Sequence, residues 1–434
     1  MEASGERLSA DDAHILALES PAIAGHTLKL LVLEPADEPL DLERLRTAVD
    51  SRLPPSSRGR DRVELGPAGA TDARWVADEG FEVAAHVRRR ERTAGIDEAG
   101  AWAAASEIMG ERLDHARPLW AIDLVGPLAD GREVIVVRIH HAMADGVSCV
   151  RFLAEVLWDE VAQPAPATGA ASRARAAPVA HRSPLERALH MPGAIGRELG
   201  HRASRTGLAK RIGARRELAF TSVSLADLRA IGKTRPGHVT VNDVFLAGVA
   251  GGLRDWLAAG ARRLPRLRAQ IPVSLHHRGE SETELGNRDS YFNVDLPLRE
   301  PDPVARLERI NAETERRKEL DDAEELYELF HALARLHHVD RAVQRIAAGP
   351  GEFSLSVSNV PGPRASLSVE GRAVEQLCSV AEPADRHALR ISAISCGGNV
   401  GIGLCTDPEA VEGVAELARA IDEALVELKV VCGC

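Results

Sequence analysis

Three pairs of adjacent histidines are the residues of this sequence best suited to acid–base chemistry: His140-His141, His276-His277 and His337-His338. Only the first pair continues as His-His-x-x-x-Asp-Gly, which ends in Asp145 and Gly146. The position four residues after the second histidine is Ser281 in the second pair and Ala342 in the third. The sequence therefore places the candidate chemistry at the first pair and predicts that the other two are surface or structural histidines.

The surroundings of the first pair suit general-base chemistry. A neutral imidazole, with an ordinary pKa of about 6.5, can take a proton from a hydroxyl near neutral pH. The apolar run 134–139 predicts a buried strand that carries both histidines at its end, and 147–160 predicts a helix. One histidine can then face a channel while the other packs inside, because successive strand residues point to opposite faces. The spacing alone is equally consistent with two structural histidines followed by a turn.

The sequence gives weaker evidence for other reaction classes. A metal hydrolase using His141 and Asp145 is an alternative, but no third ligand of matching spacing is evident, so no metal is expected. The sequence contains no Gly-x-Ser-x-Gly, the motif that exposes a nucleophilic serine. Its six cysteines include no Cys-x-x-Cys pair, and free thiols suit a reducing cytoplasm.

Composition narrows the functional class further. The chain has 434 residues, of which 44% are hydrophobic and 27% charged, which is typical of a globular protein of two or three domains. Its 54 Lys and Arg against 65 Asp and Glu give a net charge of −11, which argues against a nucleic-acid partner. The polar start, Met1 to Asp12, predicts no signal peptide, and no run of 18 apolar residues exists to span a membrane.

The stretch 163–183, rich in Pro, Ala, Ser and Arg, reads as a linker. We therefore predict an N-terminal half at 1–165, a linker at 166–183 and a C-terminal half at 184–434. Apolar periodicity predicts strands at 28–33, 134–139, 352–357 and 389–395, and helices at 40–51, 101–113, 184–216, 241–259 and 303–346. Asp407-Pro408 predicts the start of a last helix whose apolar stripe begins at Val411. This mixed order predicts α/β or α+β layers.

A basic block interrupts this acidic chain. Between Arg173 and Leu218 there are eleven Lys or Arg residues and only three Glu. Such a block can attract anionic lipid headgroups or a polyphosphate. A solvated linker face is an equally good interpretation.

Five sequence blocks, in this order, resemble the bacterial wax ester synthase/acyl-CoA:diacylglycerol acyltransferase family: 113–120 (LDHARPLW), 140–146 (HHAMADG), 241–247 (VNDVFLA), 271–275 (IPVSL) and 356–363 (SVSNVPGP). The opening 8–16 (LSADDAHIL) is similar too, but Ile15 stands where the family usually has Phe. The resemblance implies an α/β fold of two domains, the CoA-dependent, chloramphenicol acetyltransferase-like acyltransferase fold, with a central tunnel between the halves.

The resemblance also implies residue roles. His141 would be the general base, and His140 and Asp145 would hold the loop and the imidazole in place. Gly146 would leave room for substrate to approach the backbone. Asn242 and Asp243 would support activity, although Asn is also a favoured helix cap. The substrate channel would involve residues from two blocks, for which core packing and a structural turn are the alternatives: Pro118, Leu119, Trp120, Asn359, Pro361 and Gly362.

The implied reaction moves a long-chain acyl group from acyl-CoA to diacylglycerol or a fatty alcohol, giving triacylglycerol or a wax ester. Acyl-CoA would be a co-substrate, and no cofactor is expected. A cytoplasmic protein with peripheral contact to the inner membrane face or lipid droplets is expected, because the products are lipids. The alternatives are an enzyme of the same fold with a carrier-protein donor or another alcohol, and a non-catalytic lipid-binding protein.

Overall fold

The computed structural model describes residues 5–159, 203–204, 206–258, 263–274, 289–319 and 351–434. Its first half contains β1 (Glu6–Arg7), α1 (Ala10–Ala17), β2 (His26–Leu33), α2 (Leu42–Arg52), β3 (Asp61–Gly66), β4 (Gly69–Ala77), α3 (Val83–His86), β5 (Val87–Arg89), α4 (Glu98–Gly110), β6 (Trp120–Val125), β7 (Glu133–His140) and α5 (Gly146–Val156). Its second half contains β8 (Glu217–Ser224), α6 (Leu225–Lys233), α7 (Val241–Ala258), β9 (Leu267–Ser274), β10 (Asp289–Leu296), α8 (Pro303–Glu319), β11 (Leu355–Val360), β12 (Ser368–Val369), β13 (Arg372–Ala381), β14 (Leu389–Cys396), β15 (Asn399–Thr406) and α9 (Val414–Cys432).

One six-stranded sheet carries the first histidine pair. Its order is β12-β13-β2-β7-β6-β5, and β2 pairs antiparallel with β7 so that His26 lies opposite His140. Every residue of β2 and β7 is buried, which explains their almost continuous apolar runs. The first two strands of this sheet, β12 and β13, come from the second half of the chain, so strand pairing crosses the predicted division between the halves.

The second six-stranded sheet, of order β10-β9-β11-β14-β15-β8, belongs to the other half. Helices α7 and α9 pack together in its hydrophobic core. A Cβ at Gly248 would lie 2.4 Å from Leu425 Cδ2, and a Cβ at Gly252 would lie 2.6 Å from the backbone nitrogen of Ile421. The glycines of α7 therefore allow close packing against α9.

Most predicted elements are confirmed, with shifted ends. The strands at 28–33, 134–139 and 389–395 and the helix at 241–259 are present within a few residues. The predicted strand at 352–357 begins later, at Leu355. The predicted start of the last helix is wrong, because Asp407 closes one isolated turn and α9 begins after Gly413. Gly413 has φ +78°, a left-handed conformation that separates the turn from the helix.

Several sequence predictions lie outside the described residues: the linker 166–183, the two other histidine pairs, the continuation of α8 over 320–346 and most of the basic block. The described end of the predicted helix 184–216 is not helical. It contains a single 3₁₀ turn at Gly207–Ala209 and then extended chain into β8, so the prediction is wrong there.

Candidate active site

The two histidines at the end of β7 have different environments, and His140 is the structural one. His140 is fully buried. Its Nδ1 accepts a hydrogen bond from the backbone N–H of Ala142 at 3.1 Å, and its Nε2 lies 2.9 Å from Glu19 Oε1. An accepting Nδ1 leaves the ring proton on Nε2, which faces the carboxylate. Nδ1 is therefore occupied and Nε2 faces Glu19, and the full burial of the ring keeps both nitrogens away from a substrate hydroxyl.

Glu19 joins His140 to a second histidine. Its Oε1 also lies 2.8 Å from His115 Nε2, and Arg112 contacts its other carboxylate oxygen. Burial by itself would raise the pKa of Glu19, but hydrogen bonds from His115 and His140 hold it well below its usual value. The carboxylate is therefore charged, and it orients the first histidine of the pair.

His141 lies beyond the last residue of β7 and retains partial exposure. Its backbone N–H donates to the carbonyl of Gly25 at 2.9 Å. Burial, followed by the positive charges of Arg390 and Lys29, lowers the pKa of His141 to about 3. At neutral pH the imidazole is uncharged, which is the form that can accept a proton.

The loop before β2 contacts both histidines through Gly25. A carboxylate from the second half holds this loop: Glu382 accepts from the backbone N–H of Gly25 at 2.7 Å and of Ala24 at 3.2 Å. Arg216 lies 3.3 Å from the same carboxylate. Burial raises the pKa of Glu382, and the Arg216 charge opposes that rise. The second half of the chain thus positions the loop on which His141 rests.

Asp145 and Gly146 close the histidine loop at the start of α5. Asp145 is the N-cap of this helix, and its Oδ1 accepts from the backbone N–H of Ser148 at 2.7 Å. A Cβ at Gly146 would lie 3.1 Å from Val360 Cγ2. The close approach that Gly146 permits is therefore that of β11 in the other sheet, so the 140–146 and 356–363 blocks meet.

Asp243 and Asn242 lie at the start of α7, away from the histidine loop in sequence and in contacts. Asp243 is fully buried. It accepts from Thr240 Oγ1 at 2.7 Å and Thr314 Oγ1 at 2.6 Å, and so ties α7 to α8. Thr240 accepts in return from the Asp243 N–H at 3.2 Å, as in a capping box. The idea that Asn242 caps this helix is wrong, because Thr240 does. The supporting roles of Asn242 and Asp243 in activity stay predictions.

The Pro118-Leu119-Trp120 segment lies in the core of the first half, where all three residues are buried. The indole Nε1 of Trp120 donates to the carbonyl of Gly59 at 2.8 Å, and its ring stacks on His86. The carbonyl of Leu119 accepts from the His140 N–H at 2.9 Å. The segment therefore supports β7 by packing, and its role in shaping a substrate channel stays a prediction.

Asn359 is the second-last residue of β11 and pairs with Ala393 of β14, and Pro361 and Gly362 follow the end of the strand. A Cβ at Gly362 would lie only 2.1 Å from the carbonyl oxygen of Ser395, so no larger residue fits. The N–H of Gly362 donates to Ser395 Oγ at 3.1 Å. This is a tight turn packed on β14, and a channel-lining role for its residues stays a prediction.

Sequence reasoning missed the residues that act on the histidines from a distance in the chain: Glu19, Gly25, Lys29, Glu382 and Arg390. His115 was the available signal, since it lies inside the 113–120 block, but its partner is known only from the fold.

A cavity of about 1110 Å³ lies where α4, β8 and α9 meet, between the two halves of the chain. His141 is not among its lining residues, so the predicted central tunnel stays a prediction.

The residues that the structure describes include no group of three or more His, Cys, Asp or Glu side chains placed to hold a metal ion. None of the helices described is both long and apolar enough to cross a bilayer.

Two six-stranded sheets, one of which takes β12 and β13 from the second half of the chain, and a His-His-x-x-x-Asp-Gly loop at the end of β7 make up the two-domain fold of the CoA-dependent, chloramphenicol acetyltransferase-like class. Solved structures agree on the fold. The wax ester synthase/diacylglycerol acyltransferase from Marinobacter aquaeolei superposes with a TM-score of 0.72 at 22% identity, over 99% of this chain and 100% of that one. The first condensation domain of the CDA synthetase gives 0.62 at 17% identity, over 100% and 97%.

Sequence comparison narrows the class to a family. Residues 8–198 match the wax ester synthase/diacylglycerol acyltransferase catalytic domain, and residues 285–429 match the C-terminal domain of the same family. A probable diacylglycerol O-acyltransferase of Mycobacterium tuberculosis is 28% identical over 89% of this chain and 88% of its own length. A putative one of Mycobacterium bovis is 27% identical over 98% and 90%. The chain therefore belongs to the wax ester synthase/diacylglycerol acyltransferase family and is an acyltransferase.

Proposed function

We propose that this enzyme transfers a long-chain acyl group from acyl-CoA to the hydroxyl of diacylglycerol or of a fatty alcohol, with His141 as general base. The observation that carries the assignment to His141 is the contrast between the two histidines. The ring of His140 is fully buried between Ala142 and Glu19, whereas the ring of His141 is partly exposed and uncharged at neutral pH. The named activity of the relatives supports the choice of acceptor.

The reaction is a direct transfer within a ternary complex. The acceptor oxygen attacks the thioester carbonyl carbon while its proton moves to His141. The tetrahedral intermediate then collapses, the C–S bond breaks, and the CoA sulfur leaves with the proton from His141. Because a low pKa makes His141 a weak base, the proton moves as the new C–O bond forms rather than before it. We propose that no cofactor takes part.

We also propose that the enzyme works at a lipid surface, the inner membrane face or a lipid droplet, because both acceptors and products are lipids. The basic block supports this idea by its charge. Replacing its Arg residues by Gln should reduce pelleting with anionic liposomes. Unchanged pelleting would contradict the proposal.

The activity is tested with the purified protein, palmitoyl-CoA, and either dipalmitoylglycerol or hexadecanol, by following CoA release and lipid products. We expect ester from the wild type and a loss of about 10²-fold or more in His141→Ala, since general-base catalysis contributes about 10²–10⁴-fold. His14→Ala is the matched control, because His14 is exposed on α1. Palmitoyl-CoA binding without any ester, in wild type and mutant alike, would contradict the proposal and favour a carrier-protein donor or a binding role.

A further inference from the structure

A lysine is buried on β2, the strand that pairs with the histidine-bearing β7. Lys29, in the middle of β2, is only 2% exposed. It lies opposite Val137 of β7, while Thr27 lies opposite Ile139. Side chains two residues apart share one face of a strand, so Thr27 and Lys29 lie on the same face of the sheet. The thiol of Cys149 next to the histidine loop contacts Thr27 on this face.

No carboxylate neutralises Lys29. Its Nζ donates to Ser379 Oγ on β13 at 2.9 Å, and the structure places it in no ion pair with any residue it describes. The ionisable groups that affect it are Cys149 and Arg390. The thiol of Cys149 donates to the carbonyl of Ala144, and burial raises its pKa, so it carries no negative charge at neutral pH. Burial accordingly lowers the pKa of Lys29.

A buried amine with one hydroxyl partner is a poor stabilising element. Taking a cation out of water costs free energy that a single neutral hydrogen bond does not return. Methionine would fill similar space in this strand without that cost. The presence of lysine at this position therefore calls for a role in function.

The reaction creates a negative charge, the kind of partner that Lys29 lacks. When the acceptor oxygen bonds to the thioester carbon, the carbonyl π electrons move to oxygen and the hydroxyl proton moves to His141. When the C–S bond breaks, these electrons reform the carbonyl. An oxyanion therefore exists only between these two steps, and a fixed positive charge held inside the protein acts on it more strongly than a charge in water would.

We propose that Lys29 provides positive charge that stabilises this oxyanion, an inference that rests on the acyl transfer proposed above. Lys29 acts together with Arg390, the other cation that affects His141. A cation near the base opposes its protonation unless negative charge forms at the same time. Lys29 and Arg390 thus couple proton transfer to His141 with attack on the thioester, and they disfavour an imidazolium in the resting enzyme.

The test compares two uncharged variants with the wild type. Lys29→Gln keeps a side chain able to hydrogen bond with Ser379 but removes the charge, and Lys29→Met removes both. We expect kcat for ester formation to fall about 10²- to 10³-fold in both, the range seen when one oxyanion donor is removed. The KM for palmitoyl-CoA should change less than about twofold, and the urea midpoint should stay constant or rise. The exposed Lys233→Met is the control, with unchanged kcat.

The outcomes separate this inference from the proposed function. Wild-type protein that forms no ester contradicts the proposed function itself. Active wild type together with wild-type kcat in Lys29→Gln overturns only the role of Lys29. If both variants lose stability and their activity falls in proportion to the unfolded fraction, Lys29 is structural and the inference is wrong. If Lys29→Met fails to fold, Lys29→Gln decides the question alone.

Discussion

Replacing Gly25 with Ala tests whether the loop before β2 positions both histidines. Gly25 has φ +78°, and a Cβ there would lie 2.3 Å from His140 Nε2. The left-handed conformation costs a non-glycine residue about 1–2 kcal/mol. Overpacking a filled site costs about 1–3 kcal/mol more. We therefore expect Gly25→Ala to lower the free energy of unfolding by about 2–5 kcal/mol, measured by urea denaturation.

The same substitution should impair catalysis. The carbonyl of Gly25 accepts the backbone hydrogen bond of His141, so displacing the loop displaces the proposed base. A shift of about 1 Å in a catalytic group can cost about 10²-fold in rate. We expect kcat for ester formation from palmitoyl-CoA to fall by about that factor, with little change in KM.

Gly69 provides the matched control. It has φ +73° in the turn between β3 and β4, and a Cβ there would meet nothing within 4 Å. Gly69→Ala should therefore lower the free energy of unfolding only by the conformational cost, about 1–2 kcal/mol, and should leave kcat unchanged. If the two variants lose equal stability and Gly25→Ala keeps wild-type kcat, then the packing of His140 on Gly25 does not position the site, and the reasoning is refuted.

Three further predictions follow from buried polar groups. Glu19→Gln should lower kcat at least tenfold and unfolding free energy by about 1.5–3 kcal/mol, since it loses charge-assisted bonds; wild-type kcat would contradict the orienting role. Asp243→Asn should cost about 2–4 kcal/mol in urea denaturation while KM stays constant; a KM effect at full stability would indicate substrate contact. Unfolding free energy should fall from pH 6.5 to about 3, because only the unfolded chain protonates His141 there; His141→Gln should reduce that slope, and equal slopes would contradict it.

Local chemistry made several elements predictable. β2 and β7 were found because buried strands need uninterrupted β-branched and aliphatic side chains. The last helix was mostly found because its apolar stripe repeats with the helical period. Its start was misplaced because Asp407-Pro408 is a good cap in any local sense, and only the left-handed Gly413 shows where the turn ends and α9 begins.

The sequence by itself determined the motif and the expectation that adjacent histidines face opposite ways, because these depend on residue type and on the alternation of a strand. The expected reaction class came from the resemblance of its sequence blocks to a known family. Only the tertiary structure showed that His140 is fully buried against Glu19 while His141 stays partly exposed. Glu19, Glu382 and Lys29 come from distant parts of the chain. Electrostatic and hydrogen-bond environments depend on distance in space, and one sequence without its fold contains no record of that distance.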